Sequence, residues 1–182
     1  MVGACVHEPE LLNSERIEER FGSYGVEVLK QGQRLRHSSL FSSENGVRTT
    51  RTYAIVEFLD SGTDGIEGPH AAVRSGESLG ATFRDAGWVI RKHSQFTGQI
   101  SLEPENPIAR RMRLASTQPL ALHIYRLNLE RDSESVPYAN IVEVHHPDYL
   151  ALAELETLYP VSDSDRLDAE ALQAFVALVQ SD

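Results

Sequence analysis

The chain has 182 residues, 41% apolar and 24% charged, the balance of a single well-buried globular domain. Its 27 acidic residues outnumber 17 basic ones, and the formal net charge of −10 disfavours nucleic acid and anionic membrane surfaces as partners. One cysteine, Cys5, excludes an intrachain disulfide; with no secretory signal and no apolar run near the ~20 residues of a membrane span, the expectation is a cytoplasmic protein.

Residues 1–13 read as an N-terminal leader, 14–150 as the body of the domain, and 151–182 as a helical extension of it. In LLNSERIEERFG, Leu12, Ile17 and Phe21 recur near helical spacing, with Asn13 or Ser14 as cap and Gly22 as stop. GVEVLKQ alternates Val26 and Val28 against Glu27, a short strand; LRHSSLFS is a second, polar one, and SENG at 43–46 is a turn. RTTRTYAIVEFLD, 48–60, is the clearest strand, rich in β-branched and aromatic residues. SGTDGIEGP reads as a glycine-rich loop with no phosphate-loop spacing and no lysine. Residues 78–85 suit a short helix stopped by Gly87, WVIRKHSQF is a strand, and EPENP is a loop. ALHIYRLNLE and YANIVEVHH, joined by RDSESVP, form a long antiparallel hairpin. After Pro147 the chain turns helical, first in ALAELETLY and then over 164–179. There Leu167, Leu172, Phe175 and Val179 make one stripe, and Ser162 with Asp165 fits a capping box. Strands in the middle and helices at the ends predict one α+β domain on an antiparallel sheet.

Strand parity selects the residues that can carry chemistry. Arg51 shares a predicted face with Tyr53, Ile55 and Leu59, an apolar setting in which a charge needs a partner. The alternative is an arginine at a frayed strand start, reaching for water. Glu143 shares a face with Ala139, Ile141 and His145 and is flanked by Val142 and Val144. A carboxyl in apolar surroundings takes a raised pKa, which suits a general acid; an ordinary edge glutamate is the alternative. His145, His146, Asp148 and the remote His123 contain metal-ligating atoms, but adjacent histidines on a strand point to opposite faces, and loop histidines are the expectation, with no metal. No GxSxG, GxGxxG, HExxH or CxxC occurs.

In order along the chain, SERIEERFGSYGVEVLKQG, RTTRTYAIVEFLD, SLGATFRDAGWVIRK and HIYRLNLERDSESVPYANIVEVHHP resemble chorismate pyruvate-lyase and its relatives, among them the ligand-binding (UTRA) domains of some bacterial transcription regulators. The likeness spans roughly 14–150. Glu143 stands four residues before Pro147, the family's spacing. The resemblance implies a chorismate lyase-like fold, a six-stranded antiparallel sheet with helices packed on one face. It implies a site for a small aromatic or carboxylate ligand, with Arg51 binding a carboxylate and Glu143 catalytic. Arg48 competes for the arginine role, and Leu79 and Gly80 of the LG motif join the substrate site. The implied activity is elimination of pyruvate from chorismate to give a hydroxybenzoate, without metal or organic cofactor. A non-catalytic small-acid sensor or an interaction protein of the same fold is the alternative. No nucleic acid or membrane partner is expected, and a homo-oligomer is left open.

Overall fold

Apolar residues at both parities of the long strands dictate a sheet covered on both sides. The structure, a computed structural model, describes residues 11–59 and 65–181. Residues 1–10 of the leader, with Cys5, and the centre of the glycine-rich loop therefore lie outside the described residues, and the end of the leader, Asn13, is the first residue of α1. The elements are α1 (Asn13–Phe21), β1 (Gly25–Gln31), β2 (Leu35–Glu44), β3 (Val47–Phe58), α2 (Glu67–Arg74), α3 (Leu79–Asp85), β4 (Val89–Leu102), α4 (Pro107–Arg111), β5 (Gln118–Arg131), β6 (Glu134–His145), α5 (Leu152–Leu158) and α6 (Ala169–Gln180). Six strands form one sheet in the order β1-β2-β3-β6-β5-β4, every neighbouring pair antiparallel. This is the α+β, six-stranded architecture expected from the sequence.

Two hairpins set the register. Asn45 and Gly46 turn β2 into β3 with φ of 51° and 79°, and Asp132 and Ser133 turn β5 into β6 with 50° and 72°. Positive φ at both turn residues matches the twist of the flanking strands. The second turn is thus shorter than the RDSESVP reading, because strand pairing runs on to Arg131 and Glu134.

One sheet face carries Tyr53, Ile55, Leu120, Leu122, Ile124, Val142 and Val144. The other carries Val56, Phe58, Tyr125, Leu127, Ala139 and Ile141. Helices α1, α2, α3 and α5 cover the second face through Ile17, Val73, Phe83 and Leu155. Helices α4 and α6 cover the first, through Ile108, Met112 and Val179. One-sided helix cover is therefore corrected to two-sided: apolar residues on both faces need burial, and the extension supplies part of it.

Two helices fall where loops were expected. In α2, Pro69 sits in the first turn, where its missing N–H costs nothing. In α4, Asn106 accepts the Ile108 N–H at 2.8 Å and Pro107 opens the helix, so the end of EPENP is a cap. Helix α6 starts later than predicted: Asp168 Oδ1 accepts the Ala171 N–H at 2.8 Å, while Ser162 and Asp165 close only a local turn. No helix among the described residues is long and apolar enough to cross a membrane.

Leu120 is fully buried on the face that α4 and α6 cover. Leu120→Ala is expected to lower the unfolding free energy by about 2–5 kcal/mol in urea denaturation. Deleting residues 163–182 should lower the melting temperature; an unchanged melting temperature would show that α6 is not part of this core.

Candidate functional site

Strand β6 presents Ile141, Glu143 and His145 to the α1 side of the sheet, since alternate residues share a face. Glu143 faces Ala54 on β3 and His123 on β5, which places it at the centre of the sheet. Its side chain is buried. Asn13, the first residue of α1, donates from Nδ2 to Glu143 Oε1 at 2.8 Å, and the Tyr125 hydroxyl donates to the same oxygen at 3.0 Å. The Tyr149 hydroxyl donates to Asn13 Oδ1 at 3.0 Å, so the amide is held in one orientation. Oε2 has no hydrogen-bond partner among the described residues and lies 3.7 Å from His145 Nε2.

Glu143 forms part of the wall of a pocket with about 660 Å³ of empty space, its mouth included. The opposite walls bring Leu12 from just before α1, Asn13 from its start, Leu79 and Gly80 from α3, Arg36 from β2 and Lys92 from β4. Most of the remaining lining is apolar, with Ala54, Val56, Ile141 and Leu127 forming the floor on the sheet. Gly80 approaches Leu12 so closely that a Cβ there would lie 2.9 Å from its Cδ2.

Arg36 is the cation that the sequence reading missed. It is 3% exposed. Its Nε donates to Ser38 Oγ at 2.9 Å, Nη1 to the Val73 and Glu77 carbonyls at 2.6 and 3.1 Å, and Nη2 to Glu77 O at 3.1 Å. Val73 lies in the last turn of α2, so the guanidinium meets carbonyls at and just beyond the negative end of a helix; Val73 O also accepts the Gly76 N–H at 3.1 Å. Every one of these acceptors is neutral. The four bonds leave one N–H on Nη2, and no carboxylate among the described residues pairs with the charge. Burial pulls the Arg36 pKa below its usual range, while Tyr24 and Tyr138 act to raise it.

Of the five residues named from the sequence, Glu143, Leu79 and Gly80 line the pocket, and Arg51 and Arg48 do not. A bulge explains Arg51. Thr52 pairs with Leu40 and Thr50 with Phe41, which leaves Arg51 as the extra residue. The bulge breaks the parity that put Arg51 with Tyr53 and Ile55. Its guanidinium turns to the α1 side, 3.7 Å from the Phe21 ring centroid, and Nε donates to Ser42 Oγ at 2.8 Å. It therefore sits at the C-terminal end of α1, whereas the pocket is at the N-terminal end. Arg48 is exposed, with its guanidinium 4.6 Å from the Phe41 ring centroid.

His146 leaves the group at the strand end, where its Nδ1 accepts the Asp148 N–H at 3.0 Å. His123 and His145 stay with Glu143, and the ligand-capable atoms of the three lie within 4.8 Å of one another. Burial pushes the His145 pKa down to about 4; Glu143 raises it and Lys92 lowers it further. His123 is held well below the usual histidine range by burial, with Lys92 and His145 adding to the shift. Both shifts favour the neutral imidazole, the form in which histidine ligates a metal.

No family model matches the chain, and no curated protein matches it. Among solved structures, the C-terminal domain of PhnF is similar at 18% identity and a TM-score of 0.43, over 76% of this chain and 77% of that one.

Arg51→Met removes the stacking on Phe21 and the bond to Ser42. The expected cost is about 1–3 kcal/mol of stability in urea denaturation. Binding of any pocket ligand should be unchanged, as calorimetry on the same variant can check.

Proposed function

We propose that the pocket binds a small aromatic acid and that the protein eliminates pyruvate from chorismate to give a hydroxybenzoate. The observation that carries this reading is Arg36, a buried guanidinium bonded only to neutral acceptors on the wall of a largely apolar pocket. A buried charge without a counterion is costly, and a ligand carboxylate relieves that cost while accepting a charge-assisted hydrogen bond. Lys92, on the same lining, adds a second cation for a substrate with two carboxylates. Arg36 thereby takes the role that the resemblance gave to Arg51. The apolar floor suits a six-membered carbon ring, and Leu79 and Gly80 bound it on the α3 side.

In this reaction the ether carbon–oxygen bond breaks and a ring hydrogen leaves as a proton. The departing enolpyruvate gains a proton and becomes pyruvate, so the balance of protons is neutral. Aromatisation of the ring supplies the driving force. Among the described residues, Glu143 is the one carboxyl group on the pocket lining, and its role is proton delivery to the departing oxygen. Asn13 and Tyr125 fix Oε1 and leave Oε2 for the transfer. A non-catalytic sensor would use the same arginine and the same floor, and would bind the acid without turning it over.

Incubation with chorismate and chromatography for hydroxybenzoate and pyruvate distinguishes the two readings. Arg36→Met should weaken 4-hydroxybenzoate binding by about 1.5–3 kcal/mol in calorimetry, the value of a hydrogen bond to a charged group. Glu143→Gln should keep that binding and abolish turnover. Wild-type affinity in Arg36→Met would remove the basis of the proposal.

A further inference from the structure

Behind the pocket wall, three buried side chains each keep one polar atom unused. His123 stands directly across from Glu143 in the β5–β6 ladder, and His145 follows two residues later on the same face. Each is held from its outer side. Ser94 Oγ lies 2.9 Å from His123 Nε2, and Thr52 Oγ1 lies 3.0 Å from His145 Nδ1. Asn13 and Tyr125 occupy Glu143 Oε1. The atoms left over are His123 Nδ1, His145 Nε2 and Glu143 Oε2, and none has a hydrogen-bond partner among the described residues. His123 and His145 are 0% exposed and Glu143 is 4% exposed.

With the ring hydrogens directed to the Ser94 and Thr52 hydroxyls, three lone pairs are left over, on residues whose ligand-capable atoms lie within 4.8 Å of one another. A water molecule has two hydrogens and cannot meet all three. A cation can. Two imidazoles, each fixed through its far nitrogen, with one carboxylate oxygen, are a donor set for zinc and its first-row neighbours, and the outer hydrogen bonds to hydroxyls fix the ring orientation, as outer partners do around such sites. We propose that His123 Nδ1, His145 Nε2 and Glu143 Oε2 bind one divalent first-row transition metal ion, of the zinc class. Lys92 is close enough to both imidazoles to act on them electrostatically, so its charge weakens the site.

A second consequence rests on the lyase reading, although the metal site itself does not. An ion on Oε2 withdraws the oxygen that delivers the proton. The loaded protein should therefore bind 4-hydroxybenzoate through Arg36 and fail to turn over chorismate.

The test is titration of the chelator-stripped full chain with Co²⁺, followed by visible absorption, and then with Zn²⁺ by calorimetry. The expected result is one equivalent per chain, with Zn²⁺ displacing Co²⁺. His123→Ala and His145→Ala should each weaken binding by ~10-fold or more. If the alanine variants do not fold by circular dichroism, Glu143→Gln, which keeps the side-chain volume, must lose affinity instead. The absence of stoichiometric binding, or binding that survives in the folded variants, overturns the site. Arg36→Met separates the two proposals: it should keep the metal and bind 4-hydroxybenzoate more weakly. Loss of the metal in that variant would also count against the site.

Discussion

Glu143 is a carboxyl group at the centre of a sheet covered on both faces, and its desolvation must be offset by fixed partners. That requirement ties distant segments together. Tyr149 orients Asn13, Asn13 and Tyr125 hold Oε1, and α1 is thereby fastened across the sheet to the hairpin of β5 and β6. A network of this kind stabilises only when its members are satisfied, and one oxygen and two imidazole nitrogens have no partner among the described residues. Both the proton-delivery reading and the metal reading draw on those open atoms.

The strand order accounts for the position of the network. Placing β6 between β3 and β5 gives the last strand of the chain a paired neighbour on both edges, in the middle of the sheet. Its apolar residues can then face both layers, with Val142 and Val144 toward α4 and α6, and Ile141 toward α2 and α3. Segments at the two ends of the chain complete these layers. The N-terminal helix brings Asn13 to the carboxyl, and the C-terminal helix brings Val179 to the opposite face. Cover and chemistry are therefore coupled, because α1 both seals its layer and holds Glu143.

Two arginines show how local structure redistributes roles. Arg51 belongs to a long apolar strand, yet a single extra residue in the ladder turns it toward Phe21 and away from the pocket. Arg36 lies in a polar stretch with little hydrophobic patterning, yet pairing with Val56 places it beside the carbonyls that end α2. A helix terminus thus positions a cation against the apolar floor, and the geometry owes nothing to the spacing of charged residues along the chain.

The sequence by itself determined the alternation of Val, Ile and Tyr in 48–58, 121–130 and 138–145, and with it the antiparallel sheet and its long hairpin, because period-two burial depends on residue type alone. It also marked Glu143, since a carboxylate among valines stands out in any strand. The tertiary structure decided the rest. The Arg51 bulge depends on a partner strand whose register the sequence of β3 does not contain. Arg36 reaches the pocket only because α2 ends above it. His123 joins His145 because β5 and β6 pair in one register, and a shift of one residue would send His123 to the other face. Such meetings are set by pairing and docking between segments far apart in the chain, which local residue patterns do not encode.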